Sequence, residues 1–125
     1  MNLPEDLKYT KTHEWVRLPE GGSIEIGLSD YAQKELGDIV FVNLPQAGDS
    51  LNAGVSFADV ESVKGVSDIF SPIDGVVKEV NETLLSSPEL INQSPYTAWL
   101  IRGTGEIAEG ELLSAAEYRA LLPKE

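Results

Sequence analysis

The segment Glu61-Ser-Val-Lys-Gly-Val-Ser-Asp68 places strand-like residues on both sides of a Lys-Gly pair. This pattern predicts a β-hairpin with Lys64 at its tip, where Gly65 supplies the positive φ that a tight turn requires. An ammonium group at a hairpin tip is exposed, so a modifying enzyme can reach it. Acylation would convert the lysine into an uncharged tether, although an ordinary solvated turn lysine has the same local pattern.

Short strands separated by turn residues extend from this hairpin in both directions. Residues 9–18 are rich in β-favouring side chains, and alternation over 23–28 predicts the return strand after a turn at 19–22. Further strands are predicted at 39–42, 55–63, 67–70, 76–80 and 98–102. The chain is therefore predicted to be mainly β.

Two helices interrupt or follow these strands. The first is predicted at 30–36, with Ser29 or Asp30 as its N-cap and Gly37 at its C-terminal end. The second begins after Ser114, which forms a capping-box pattern with Glu117. No Gly/Ser linker or charge block divides the chain, so a single domain over residues 1–125 is expected.

A faint internal echo relates residues 37–43 to residues 75–81, which share a glycine, a valine and an asparagine at matching positions. The echo predicts two similar β units with Lys64 between them. Chance similarity between valine-rich strands explains the match equally well.

Composition limits the possible functions. The chain has 125 residues, no cysteine and a formal charge of −12, which repels nucleic-acid phosphates and anionic lipid surfaces. Zinc sites made of cysteines, iron–sulfur clusters and thiol nucleophiles are excluded. The apolar run at 39–42 is too short for a membrane span, and residues 1–8 lack a signal-peptide pattern. We therefore expect a cytoplasmic protein with protein partners.

Several distinctive motifs are spread over most of the chain. They are Glu61-Ser-Val-Lys-Gly-Val-Ser-Asp-Ile-Phe-Ser-Pro72, Tyr9-Thr-Lys-Thr-His-Glu-Trp-Val16, Asp30-Tyr-Ala-Gln33, Leu36-Gly-Asp-Ile-Val-Phe-Val42, Pro88-Glu-Leu-Ile-Asn92 and Ser94-Pro-Tyr96. Together these motifs resemble the glycine cleavage system H protein family. The resemblance implies the lipoyl/biotinyl carrier fold, a barrel-sandwich hybrid in which two small antiparallel sheets form a flattened sandwich. A short helix near residue 30 and a C-terminal helix complete that expectation.

The resemblance also implies a function. Lipoate would be attached covalently to Lys64, and the chain would be a non-catalytic shuttle in glycine catabolism and one-carbon metabolism. It would take the aminomethyl group of glycine from the pyridoxal-phosphate glycine decarboxylase (P protein) to the tetrahydrofolate-dependent aminomethyltransferase (T protein). Dihydrolipoyl dehydrogenase (L protein) would reoxidise the arm, which a lipoate ligase or lipoyl transferase would first have attached.

The same resemblance assigns Glu14, Asp68 and Thr12 to the lining of the docked arm. Without it, the two carboxylates would be interpreted as ordinary exposed residues on strands. His13 is the only histidine in the chain, and no nucleophile motif accompanies it. We therefore expect a strand-surface histidine, no catalytic residue and no metal site.

Two alternatives remain open at this point. An H-like lipoyl carrier could serve lipoate relay or sulfur oxidation, and an unmodified acidic adaptor could contain Lys64 only as a turn residue. A biotin carrier is disfavoured because Val63 and Gly65 flank Lys64, where that family usually has methionines.

Overall fold

The computed structural model describes residues 1–18, 22–108, 110 and 112–123. The elements in these ranges are, in chain order, β1 (Lys8–Tyr9), β2 (Glu14–Arg17), β3 (Ile24–Leu28), α1 (Asp30–Leu36), β4 (Ile39–Asn43), β5 (Ser50–Leu51), β6 (Ser56–Ser62), β7 (Gly65–Phe70), β8 (Ile73–Val80), α2 (Thr83–Ser86), α3 (Leu90–Gln93), β9 (Ile101–Ile107) and α4 (Ala115–Leu121). None of these helices is long and apolar enough to cross a membrane.

The strands form two antiparallel sheets, as the resemblance implied. One has six strands in the order β1-β2-β3-β9-β8-β5, and the other has three in the order β4-β6-β7. Neither sheet closes into a barrel in the part of the chain that the structure describes. The two echoing segments at 37–43 and 75–81 contain β4 and much of β8, which lie in different sheets.

Three apolar clusters hold the elements together. One packs α1, α2 and α3 against the three-stranded sheet, and its fully buried members include Val60, Ile69, Leu84 and Leu100. A second covers the inner face of the six-stranded sheet, around Ile26, Ile73 and Ile101. The third joins the N-terminal segment to α4 and includes Tyr9, Trp15 and Tyr118.

The hairpin and both predicted helices are confirmed. Ser62 pairs with Gly65 where β6 meets β7, and Gly65 has a φ of 143°. Ser29 caps α1 by accepting a hydrogen bond from the Ala32 amide. The capping box between Ser114 and Glu117 is present at the start of α4.

The β-favouring stretch at 9–18 does not form one strand, because a turn at residues 10–13 divides it into β1 and β2. The His13 amide donates to the Thr10 carbonyl at 3.1 Å, and His13 has a φ of 76°. No other non-glycine among the described residues has a positive φ. Residues 19–21 of the predicted turn at 19–22 lie outside the described residues.

The predicted strand at 98–102 was also misplaced. Tight turns at 94–99 delay its start, since the Ala98 amide donates to the Ser94 carbonyl at 2.9 Å and the Trp99 amide to the Thr97 carbonyl at 2.9 Å. The strand β9 therefore begins at Ile101. Helices α2 and α3 were not predicted, because four residues are too few to show a helical period.

An ionic row crosses three neighbouring strands of the larger sheet. Glu25 on β3 stands opposite Arg17 on β2 and Arg102 on β9, and it accepts hydrogen bonds from them at 2.7 and 2.8 Å. Burial alone would raise the pKa of the Glu25 carboxyl, but these hydrogen bonds outweigh burial and hold it below its usual value. The row ties β2, β3 and β9 together.

We expect Glu25→Gln to lower the free energy of unfolding at pH 7 by roughly 1.5–3 kcal/mol, the usual value of hydrogen bonds to charged groups. Since the pKa of Glu25 is lowered in the folded state, its contribution is present above the unfolded pKa and is lost as the pH falls through the folded one. The difference between the two proteins should therefore shrink in acid, as measured by urea unfolding at several pH values. Glu79→Gln is the matched control, because Glu79 pairs with the same Arg102 but its side chain is 59 % exposed. An equal loss of unfolding free energy in both variants would contradict the stabilising role assigned to Glu25.

Candidate functional site

The tip of the β6–β7 hairpin is the most exposed part of the three-stranded sheet. Val63 and Val66 are each 68 % exposed, and Lys64 between them is also exposed. The Ser62 hydroxyl orders the turn by accepting from the Lys64 amide at 3.1 Å and donating to the Gly65 carbonyl at 3.3 Å. An apolar rim thus surrounds a single amine on a short, ordered turn.

The tip packs against the C-terminal end of α1. The Lys64 Nζ donates to the Glu35 carbonyl at 3.0 Å, and the Val63 amide donates to the Asp38 carbonyl at 3.1 Å. A cation suits this position, because the last carbonyls of a helix lack partners within the helix. The amine is therefore held beside α1 while its side chain stays exposed to solvent.

A cavity of about 230 Å³ adjoins this contact. Its walls come from the 10–13 turn, the end of β3, α1 and β7, and its lining residues are Thr12, His13, Leu28, Tyr31, Ala32, Glu35, Leu36, Ser67 and Asp68. Glu35 belongs to this lining and its carbonyl also binds the Lys64 amine, so the amine lies at the margin of the cavity. The lining combines apolar side chains with carboxyl and hydroxyl groups, which suits an apolar arm with a polar or cationic end.

The structure brings Thr12 and Asp68 together in this cavity and places Glu14 in the next one. Asp68 is exposed on β7, as expected for a strand carboxylate, whereas Glu14 is only 1 % exposed. Glu14 lines a second cavity of about 170 Å³ together with Phe70 and Ser71. Thr12 borders both cavities and donates its hydroxyl hydrogen to the Glu14 carboxyl, so it connects the two sites.

Burial controls the charge of Glu14. Removal from water raises the pKa of this carboxyl to about 7, even though the Thr10 and Thr12 hydroxyls and the Phe70 amide all donate to it. Near neutral pH both the protonated and the ionised form of this carboxyl are therefore present. A cation beside it would favour the ionised form.

His13 does not lie on a strand surface, and that expectation was wrong. It ends the 10–13 turn in a half-buried position, with its Nδ1 at 2.7 Å from the Tyr118 hydroxyl and its ring centroid at 4.8 Å from that of Tyr31. Sequence reasoning missed the contribution of Tyr31 and Tyr118 to this site. Residue 118 is 105 positions from His13 along the chain, and no local pattern relates the two.

The structure offers no alternative centre of metal chemistry within the described ranges. No group of three or more His, Asp or Glu side chains there is placed to hold a metal ion.

Comparison with known proteins identifies the family. The model of the family described as glycine cleavage H-protein matches residues 7–125. The glycine cleavage system H protein of Lachnoclostridium phytofermentans is 54 % identical over 125 residues, with 100 % of this chain and 98 % of that protein covered. The corresponding protein of Geobacillus kaustophilus is 51 % identical, with 98 % of each chain covered.

A solved structure agrees with the sequence comparisons. The crystal structure of a glycine cleavage system H protein from Mycobacterium marinum matches with a TM-score of 0.89 and 39 % identity, covering 95 % of this chain and 98 % of that one. The chain therefore belongs to the glycine cleavage H-protein family, whose members are non-catalytic carriers that hold lipoate covalently on a lysine and work with the other components of the glycine cleavage system.

Proposed function

We propose that Lys64 is the lysine that carries lipoate and that residues 1–125 act as one carrier domain. The observation that supports this assignment is the position of the Lys64 amine, which lies on an exposed hairpin tip and at the margin of the lined cavity. A modifying enzyme needs the first property, and a tether that must dock between deliveries needs the second. A lipoate ligase or lipoyl transferase would form the amide with Nζ.

The carrier moves the aminomethyl group of glycine from the P protein to the T protein, and the L protein reoxidises it. When attached, the lipoyl group supplies a dithiolane that accepts the cargo on sulfur, so the chain's own residues need only hold, orient and shelter that group. Loss of the lysine charge on acylation still leaves one N–H that can donate to the Glu35 carbonyl. The anchor on α1 can therefore survive modification.

The cavity lining fits a cationic cargo. Leu28, Ala32 and Leu36 supply apolar walls, and Asp68 supplies a carboxylate for the amine. Thr12 lies between Asp68 and the buried Glu14, whose pKa of about 7 allows it to release a proton when a cation comes near. We assign Asp68, Thr12 and Glu14 to this sheltering role.

The surface charge suits protein partners. With a formal charge of −12, the chain is steered toward basic surfaces, and its exposed valines at the tip can enter an apolar entrance on a partner enzyme. We place the work of the carrier in the cytoplasm, where the three partner enzymes would compete for one tip.

Lys64→Arg tests the attachment residue, because arginine keeps the positive charge but cannot form the lipoyl amide. After incubation with lipoate ligase and lipoate, we expect the wild-type chain to gain one lipoyl mass and the variant to gain none. Glycine turnover by the assembled P, T and L proteins should fall at least about 100-fold, the loss expected when an essential covalent step is removed.

Lys78→Arg is the matched control, since Lys78 is an exposed lysine on β8. It should keep both the mass gain and the turnover. A lipoyl mass on the Lys64→Arg variant would contradict the assignment. A lipoylated wild type that transfers lipoate to another enzyme's domain, but accepts nothing from glycine and the P protein, would favour the relay alternative.

Glu14→Gln tests the protonation state of the buried carboxyl. Its pKa is raised from 4.5 to about 7 in the folded protein, so the native state holds the proton between these values and the unfolded state does not. Wild-type stability should therefore fall as the pH rises from 4.5 to 7, by about 3 kcal/mol relative to the variant. Urea unfolding across this range measures the difference. Asp68→Asn, on an exposed side chain, should show the wild-type pH dependence, and a pH-independent difference between wild type and Glu14→Gln would refute the raised pKa.

A further inference from the structure

Three side chains form a hydrogen-bonded series from the start of α1 to the wall of the cavity. The Ser29 hydroxyl oxygen lies 2.8 Å from the Tyr118 hydroxyl, which lies 2.7 Å from Nδ1 of His13. The Ser29 amide also donates to the His13 carbonyl at 3.0 Å. This series, which we call the Ser29–Tyr118–His13 relay, therefore joins α1, α4 and the 10–13 turn.

The hydrogens of the relay have one consistent direction. Ser29 is fully buried, and its oxygen already accepts from the Ala32 amide at 3.2 Å. The Tyr118 oxygen is the one acceptor that the described residues offer to the Ser29 hydrogen. Tyr118 must then donate its own hydrogen to His13, which makes Nδ1 an unprotonated acceptor and places the ring hydrogen on Nε2.

From this direction we propose that the relay holds His13 as a neutral imidazole with its hydrogen on Nε2 and its basic lone pair engaged by Tyr118. The ring then lines the cavity as a hydrogen-bond donor and not as a base. Tyr118 acts as a positioning residue, because it sets the state of His13 from outside the cavity. No base is offered to the cavity by the imidazole.

The local charges would favour protonation if the relay were absent. Two acidic residues line the same cavity as the ring, Glu35 on α1 and Asp68 on β7, and the Lys64 ammonium bound to the Glu35 carbonyl opposes them. Burial lowers the pKa of His13, whereas the Glu35 charge acts to raise it.

The relay opposes protonation of His13, as burial does. Protonation of Nδ1 would reverse the hydrogen bond to Tyr118, and Tyr118 would then donate to Ser29. The buried Ser29 hydrogen would lose its acceptor, which carries a desolvation cost. Geometry and burial therefore both keep His13 neutral.

The consequence of a neutral His13 rests on the proposed function, because it concerns how the cavity shelters the aminomethyl group. In hydrolytic loss, a protonated aminomethyl thioether and one water give a thiol, formaldehyde and an ammonium ion, with no change of oxidation state. The ammonium nitrogen must first lose a proton, since its lone pair forms the C=N bond as the C–S bond breaks. The Asp68 carboxylate in the same cavity stabilises that ammonium by charge, whereas a free imidazole lone pair in the cavity would remove its proton. The relay therefore protects the cargo.

The state of His13 is measured directly by ¹⁵N NMR on the unmodified full-length chain. We expect Nε2 to be the protonated nitrogen in the wild type and the pKa of His13 to lie below its ordinary value of about 6.5. Tyr118→Phe keeps the ring but removes the hydroxyl, so the pKa should rise and the tautomer ratio should change about fivefold, which corresponds to one neutral hydrogen bond.

Tyr9→Phe is the matched control. The Tyr9 ring stacks on the Tyr118 ring, with 4.8 Å between the ring centroids, but the Tyr9 hydroxyl donates to the Pro4 carbonyl and not to His13. It should leave the His13 spectrum unchanged. A wild-type ring with its hydrogen on Nδ1 would overturn the proposal even if Tyr118→Phe failed to fold, as would a Tyr118→Phe variant with the wild-type spectrum.

The protective role is tested on lipoylated, aminomethyl-loaded protein by following formaldehyde release. Tyr118→Phe should release it several-fold faster than wild type or Tyr9→Phe, and Tyr118→Phe/His13→Asn should return to the slow rate. Asparagine has no basic lone pair and tolerates a positive φ. Equal rates of formaldehyde release in all variants would overturn the protective role. Failure of Lys64 to be lipoylated would instead overturn the proposed function, and the NMR result alone would then decide the state of His13.

Discussion

The contact between the β6–β7 hairpin tip and the C-terminal end of α1 is the constraint on which the site depends. A two-residue turn leaves the Lys64 side chain exposed, while its amine donates a hydrogen bond to the Glu35 carbonyl at 3.0 Å. The end of a helix provides this partner because its last carbonyls are not used within the helix. The Lys64 amine thereby stays accessible to solvent and still has a defined hydrogen-bond partner.

The two acidic residues near the cavity, Asp68 and Glu14, differ in their burial. Asp68 remains exposed on β7, whereas Glu14 lies behind Thr12 with a pKa raised to about 7. In the proposed carrier role, the exposed carboxyl is open to a cation in the cavity, and a cation that approached the buried carboxyl would favour its ionised form. Glu25 shows the opposite result of partial burial, since two arginines keep it ionised and join three strands.

The C-terminal helix contributes to the site as well as to the core. Its Tyr118 ring stacks on Tyr9 and its hydroxyl reaches both Ser29 and His13. Helix α4 is held in place by its capping box and by the pairing of Tyr9 with Leu113. Packing at one end of the molecule thus sets the hydrogen-bonding state of a cavity side chain.

Local sequence determined the elements whose chemistry is local: the hairpin at Lys64-Gly65, the helix capped by Ser29, the capping box at Ser114 and the mainly β character. Tertiary structure decided what depends on distant partners. The burial of Glu14 arises where β2 meets the end of β7, and the relay through Tyr118 arises where α1 and α4 meet the 10–13 turn. A turn or cap is decided by neighbours along the chain, whereas a buried charge or a tautomer is decided by atoms that only folding brings close.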